Sequence, residues 1–294
     1  METKKAKETK YNNVILVPTD FSEVCENAID QGVALAQFLK YKVFILHVID
    51  KQTEATLKKE KLSADVIEEK LKNYKELYEA KFNVDIEILA RKGNIFNTIG
   101  KVASELKANL MVLGTHGKQG MQYLFGSHAL RVVLDSPCPV VVVQKRTFGE
   151  GYKEIVFPIS NELESRQAID WVVLISRLFD SKIILYQSLE SDPALNSRLK
   201  IISQQISTYL KIEKVNVEVK VARETKNFSS QVISFAVNNK SSMIMIMTMP
   251  GGDMPGFSFS AWDEHMMFNE AEIPVMCINP VDLGNYYYDW MMRT

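Results

Sequence analysis

Short apolar runs alternate along this chain with longer segments whose apolar residues recur every three or four positions. The runs Val14 to Val17, Lys42 to Ile49, Val84 to Leu89, Leu110 to Leu113 and Val140 to Val143 are rich in β-branched residues and too short for helices. They predict buried strands. Between the first two, Ser22 to Leu39 sets Cys25, Ala28, Ile29, Gly32 and Ala36 at helical spacing on one face. Glu54 to Lys81 predicts one long Lys/Glu-rich helix, and Ile95 to Leu106 a shorter one. A last helix leads into Val140.

The plan then repeats. Ile155 to Ser160 and Lys182 to Gln187 predict strands around a helix from Glu162 to Phe179. A helix from Pro193 to Ile212, a strand from Val215 to Val221, a helix from Ser229 to Asn239 and the strands Met243 to Met247 and Val275 to Ile278 complete it. Pro18 and Pro158 stand a domain's length apart, so the repeat is a duplicated domain and not a solenoid. Strands alternating with helices imply parallel sheets covered on both faces. The fold class expected is α/β: two doubly wound, five-stranded parallel-sheet domains. They meet near Arg146 to Lys153, where Gly149 and Gly151 interrupt the periodicity, giving domains over residues 1–147 and 148–294.

Bulk properties narrow the function. A formal net charge of −1 on 294 residues argues against a nucleic-acid-binding face. No polybasic tract suits anionic lipid, and no apolar stretch is long enough to span a membrane. Cys25, Cys138 and Cys277 are scattered and odd in number, so buried free thiols in a reducing compartment are expected. Met1 to Lys5 opens a polar segment with no signal core. The expectation is a soluble cytoplasmic protein.

Candidate chemistry gathers where strands end. Gly114-Thr115-His116-Gly117 follows the apolar run at Leu110, and Gly126-Ser127 follows a few residues on. Glycine lets backbone amides approach a ligand, and Ser127 is placed to cap a helix whose N-terminus favours anions. Pro18-Thr19-Asp20 ends the first strand. If the first and fourth strands are neighbours, both loops face the crevice where open α/β sheets bind ligands. The Asp20 carboxylate suits an amino group or a ribose hydroxyl, and the glycine loop suits phosphate.

Plainer roles compete with these. Asp20 can cap the following helix, and Gly114 and Gly117 can serve a tight turn. Lys118 divides between phosphate contact and solvent, since no P-loop surrounds it. His116 is read as a spacer and not as an acid or base. His47, His128 and His265 lack metal-ligand spacing and are read as structural. Cys138 is read as an inert thiol. The aromatic tail, Tyr286 to Met292, is expected to dock on its own chain or on a second subunit.

Taken in order, Pro18-Thr19-Asp20-Phe21-Ser22, His47-Val48-Ile49-Asp50, Gly93-Asn94, the glycine stretch and Ser136 to Val143 resemble the universal stress protein family, in tandem form. The resemblance covers residues 12 to 145 and, more loosely, the second half. It implies a Rossmann-like fold akin to the adenine-nucleotide alpha hydrolases. It implies that Pro18, Thr19, Asp20 and the Val48 backbone meet adenosine. Gly114, Thr115, His116, Gly117, Gly126 and Ser127 would then surround ribose and phosphates of ATP, with Mg²⁺ or Mn²⁺. The family pattern is G-x-x-G-x9-G-[S/T], and Lys118 to Phe125 is one residue shorter.

The second half departs further. Ser160 replaces the aspartate, and Met247-Thr248-Met249-Pro250 stands where G-x-x-G would be, with Gly251, Gly252 and Gly256 out of register. It is read as a degenerate copy, or as a site for another ligand that uses Phe257, Phe259 and Trp262. The halves are expected to pair as an intramolecular pseudo-dimer through Val140–Val143 and Val275–Ile278, a pairing compatible with a further homodimer. The expected function is ATP-binding regulation in stress response. A slow ATPase and a nucleotide-free interaction scaffold are the alternatives.

Overall fold

The computed structural model describes residues 12–115, 126–161, 165–248 and 261–280. The first half runs β1 (Val14–Pro18), α1 (Glu23–Leu39), β2 (Lys42–Ile49), α2 (Lys51–Glu60), α3 (Asp65–Phe82), β3 (Ile86–Lys92), α4 (Ile95–Glu105), β4 (Leu110–Gly114), α5 (Gly126–Leu134) and β5 (Val140–Val143). The second runs β6 (Glu154–Ile159), a 3₁₀ turn (Ser165–Ala168), α6 (Ile169–Phe179), β7 (Lys182–Gln187), α7 (Pro193–Ile212), β8 (Asn216–Val221), α8 (Phe228–Asn238), β9 (Met243–Met247), α9 (Ala261–Met267) and β10 (Val275–Ile278).

All ten strands form one sheet in the order β3-β2-β1-β4-β5-β10-β9-β6-β7-β8. Each half is the expected five-stranded parallel unit, with its first strand central and its fourth beside it. The halves join through β5 and β10, which pair antiparallel with Val142 opposite Val275 and Val140 opposite Cys277. Both strands are buried throughout. Mutual pairing removes two apolar edges that would otherwise template aggregation.

The sheet has one apolar cluster on each face, and each cluster draws on both halves. Helix α1 lies unusually close to the sheet. A Cβ on Gly32 would stand 2.6 Å from Val17 Cγ2, and one on Gly114 would stand 2.7 Å from the Val24 carbonyl oxygen. Small residues at those two points let the helix seat across β1 and β4.

Two expected helices differ. The segment from Glu54 to Lys81 is not one helix. Asp50 Oδ1 accepts from the Thr53 amide at 2.8 Å and starts α2 early, and Lys61 turns left-handed (φ 57°) to end it. The helix expected from Glu162 is preceded by the 3₁₀ turn and begins at Ile169; residues 162–164 lie outside the described residues. The strand expected from Val84 is β3, shifted toward Lys92. The connector between halves is fastened to α1. Asn27 Nδ2 donates to the carbonyls of Gln144 and Arg146, Gln31 Nε2 also donates to Arg146, and the Tyr152 hydroxyl donates to Gln31 Oε1 at 3.1 Å.

Candidate functional site

The register of Ile15 with Leu110 and of Leu16 with Met111 brings the carboxyl ends of β1 and β4 side by side. This is the reversal point in the strand order, where a crevice opens in such sheets. The loop after β1 is built by its own side chains. Thr19 Oγ1 accepts from the Phe21 amide at 3.0 Å, and Asp20 Oδ1 accepts from the Ser22 amide at 2.9 Å. Phe21 is thereby held left-handed at φ 65°, a conformation that costs a non-glycine residue about 1–2 kcal/mol. The N-cap of α1 is Ser22, which makes no side-chain cap bond. Asp20 therefore shapes the turn one step ahead of the helix and is not its cap.

Next to this loop, His47 is buried, and its Nδ1 lies 2.8 Å from the Thr19 carbonyl oxygen. A carbonyl can only accept, so Nδ1 carries the hydrogen and Nε2 is left as an acceptor. Nε2 is buried without a partner. The Phe21 ring stacks on the imidazole at 4.6 Å. Burial lowers the His47 pKa, outweighing the Thr19 carbonyl and the Asp20 and Asp50 charges that act the other way. Burial favours the neutral imidazole, and His47 also lines the hollow beside Thr19 and Asp20.

Pro18, Thr19, Asp20 and Val48 come together around one hollow of about 40 Å³, closed from the α4 side by Ile95 and Ile99. That space holds water or the edge of a planar base, and the bulk of a nucleotide would have to lie outside it.

On the β4 side, the glycine that opens the motif has a packing role. Gly114 pairs with Val143 in the ladder and admits the α1 backbone. The Thr115 amide donates to the Val143 carbonyl at 2.9 Å, so it is committed to the sheet and not to a phosphate. Thr115 is fully buried, and its Oγ1 has no partner among the described residues. His116, Gly117 and Lys118 lie outside the described residues. Helix α5 is described from Gly126, so Ser127 lies within it, and the residues from 116 to 125 lie outside the described residues.

The second half solves the same positions differently. Thr248, the counterpart of Thr115, gives its hydroxyl to Asn279 Oδ1 at 2.7 Å. Asn279 Nδ2 in turn reaches the carbonyls of Val133, Leu134 and Ser136 at 2.7, 3.1 and 3.0 Å, closing the carboxyl end of α5 in the other half. Gln144 Nε2 makes the reciprocal reach to the Asn269 carbonyl. An asparagine just past a strand carries no periodic signal, and sequence reasoning missed this clasp. Met249 to Gly256, Phe257, Phe259 and the tail from Tyr286 to Met292 lie outside the described residues. Trp262 stacks on Phe228 at 5.5 Å, and its Nε1 is buried without a partner among the described residues.

The three cysteines are free and buried. Burial pushes the Cys138 thiol up to about 11 and raises Cys25 and Cys277 as well, which suits inert packing. His265 Nδ1 pairs with Ser229 Oγ at 2.8 Å. Among the described residues, no three His, Cys, Asp or Glu side chains are grouped to hold a metal ion, and no helix is long and apolar enough to cross a membrane.

Comparison with known proteins adds to this geometry. A model of the universal stress protein family matches residues 12–144. Universal stress protein MJ0531 of Methanocaldococcus jannaschii is 33% identical over 139 residues, 45% of this chain and 81% of the relative. MJ0577 of the same organism is 30% identical over 158 residues, 45% of this chain and 94% of the relative. A solved universal stress protein from Archaeoglobus fulgidus superposes with a TM-score of 0.73 at 15% identity, over 91% of this chain and 98% of that one, a likeness of fold along nearly the whole length. The chain belongs to the universal stress protein family and carries two copies of its fold in tandem.

Proposed function

We propose that the first half, residues 1–147, binds an adenine nucleotide, and that the second, residues 148–294, is a companion domain without that site. The observation that carries the reading is the convergence of Pro18, Thr19, Asp20 and Val48 on one hollow at the strand-order reversal. Asp20 is half-buried, and a carboxylate can accept more hydrogen bonds than the one it takes from the Ser22 amide. It suits a ribose hydroxyl or a base amine. Val48 supplies main chain and an apolar edge beside it. ATP is the nucleotide the family resemblance favours. Its phosphates would extend toward Gly117 and Gly126, and a divalent ion would arrive on the phosphate oxygens, since the described residues offer no ligand cluster.

Function follows by linkage. A ligand that binds only the folded state stabilises it by an amount that grows with the logarithm of its concentration over Kd, about 2.7 kcal/mol at a hundredfold excess. Bound nucleotide would thus report adenylate levels as a change in the stability and assembly of the whole sheet. The test is Mg-ATP titration followed by thermal shift, with nucleotide assayed after denaturing the purified protein. Asp20→Asn keeps the Ser22 turn but removes the charge. Combined with Gly117→Val it should abolish the shift while leaving the ligand-free melting temperature in place. A wild-type protein that carries no nucleotide and shows no shift would sink the reading.

A further inference from the structure

The second half has an open cavity of about 650 Å³ between α8 and the edge strand β8, a size typical of small-molecule sites. It is not the counterpart of the first half's hollow. The registers of Pro18 with Leu46 and of Pro158 with Tyr186 make the two halves superimposable here. The counterpart would be lined by Pro158, Ile159, Ser160, Tyr186, Gln187 and Ser188, and of these only Tyr186 borders the cavity.

Three features point to a ligand. Tyr186 is only 5% exposed, with its ring beside Phe228 and Phe235 at 6.0 and 4.8 Å, yet it borders the cavity and its hydroxyl has no hydrogen-bond partner among the described residues. Arg223 lines the cavity, close enough for its charge to act on that phenol, and its guanidinium makes no ion pair among the described residues. Its backbone is fixed there: Gln231 Oε1 accepts from the Arg223 and Glu224 amides, and Gln231 Nε2 donates to the Glu224 and Lys226 carbonyls. Helix α8, eleven residues long, starts beside them. Its N-cap, Asn227, is left-handed at φ 55° and makes no side-chain cap bond, so among the described residues no cap side chain competes with an anion for the first amides.

The body of the cavity has a different chemistry. Ser230, Ser234 and Asn238 line it from successive turns of α8. In the first half the matching helix has Asn97, Lys101 and Glu105 there, with Lys101 and Glu105 paired at 3.8 Å. The match is fixed by Ala103 and Ala236, both fully buried and each accepting the amide of the residue five positions on. A charged, self-satisfied face has become one of hydroxyls and amides. Glu224 also borders the space, so a bare anion fits less well than a molecule with one anionic end and hydroxyl donors beyond it.

We propose that this cavity binds a phosphorylated sugar, free or as part of a nucleotide. The phosphate lies at Arg223 and the first turn of α8, and the sugar hydroxyls meet Ser230, Ser234, Asn238 and the Tyr186 hydroxyl. The assignment does not depend on the first-half site. The test is calorimetric titration of the full chain with ribose 5-phosphate, ribose, inorganic phosphate and AMP. Ribose 5-phosphate should bind. Arg223→Ala should weaken it by about tenfold or more and Tyr186→Phe by about threefold, with the urea midpoint unchanged by Arg223→Ala. Asp20→Asn, which alters only the first-half hollow, should leave it unchanged. AMP binding as tightly as ribose 5-phosphate, with the same Arg223 dependence, identifies the nucleotide form; weaker AMP binding identifies the free sugar. The proposal is overturned by any of three results: no binding of ribose 5-phosphate or AMP up to about 10 mM, affinities indifferent to both variants, or inorganic phosphate binding as tightly as the sugar phosphate.

Discussion

Replacing Asn279 should loosen both halves at once. Its side chain leaves the end of β10 and reaches three carbonyls at the close of α5, while its oxygen accepts from Thr248. An amide nitrogen has two hydrogens, so the three carbonyls share two donors. At about 1 kcal/mol net for each bond, with a further cost for carbonyls left dry, Asn279→Ala should lose about 2–4 kcal/mol. Asn279→Asp should lose more, because a carboxylate would then face three carbonyl oxygens. Gln144→Ala provides the internal scale. It removes one reciprocal bond of 3.0 Å to the Asn269 carbonyl and should lose about 1 kcal/mol. Urea denaturation followed by circular dichroism reads all three. An alanine variant within about 0.5 kcal/mol of wild type, or an aspartate variant no worse than alanine, would refute the clasp.

Two further outcomes follow from the first half. Gly114→Ala would press a methyl to 2.7 Å from the Val24 carbonyl and 3.1 Å from Cys25 Cα; backbone cannot yield as a side chain does, so thermal melts should show a loss of about 1–3 kcal/mol. His47 has its folded pKa lowered below 6.5 by burial. Its contribution is complete above that value and falls as pH drops toward the folded pKa, because the unfolded chain binds the proton first. Stability should therefore decline between about pH 7 and 5 by at most about 1.4 kcal/mol per unit from this group, and His47→Gln should flatten that slope in pH-dependent urea titrations.

The buried strands were legible because nothing but a sheet core accommodates runs such as Val140 to Val143. Their antiparallel meeting with Val275 to Ile278 followed from the duplication, since two like edges pair by a two-fold. The break between α2 and α3 was not legible. The residues from Lys61 to Ala64 include no glycine or proline, and the chain turns there by placing a lysine left-handed. The cap that starts α2 is present in sequence as Asp50 followed by Thr53, but Asp50 also closes the His47-Val48-Ile49-Asp50 motif, which hides its capping role. At the site, the residues near β1 could be placed by motif and by topology together. Gly114 could not. A glycine that frees an amide for a ligand and one that admits a neighbouring helix look alike until Val24 is found against it. The Tyr186 cavity was hidden for a related reason. Its residues come from β7, β8, α8 and the loop between the last two, and together they form no motif along the chain.

The antiparallel seam also orders events during synthesis. When the first half has left the ribosome, its four-valine strand β5 has β4 on one side and nothing on the other. Its partner β10 is the last strand among the described residues. At about 5–20 residues per second the nascent chain carries that open flank for on the order of ten seconds. A slow stretch of translation within the second half would lengthen that interval, and a chaperone that shields valine-rich edges would matter most during it.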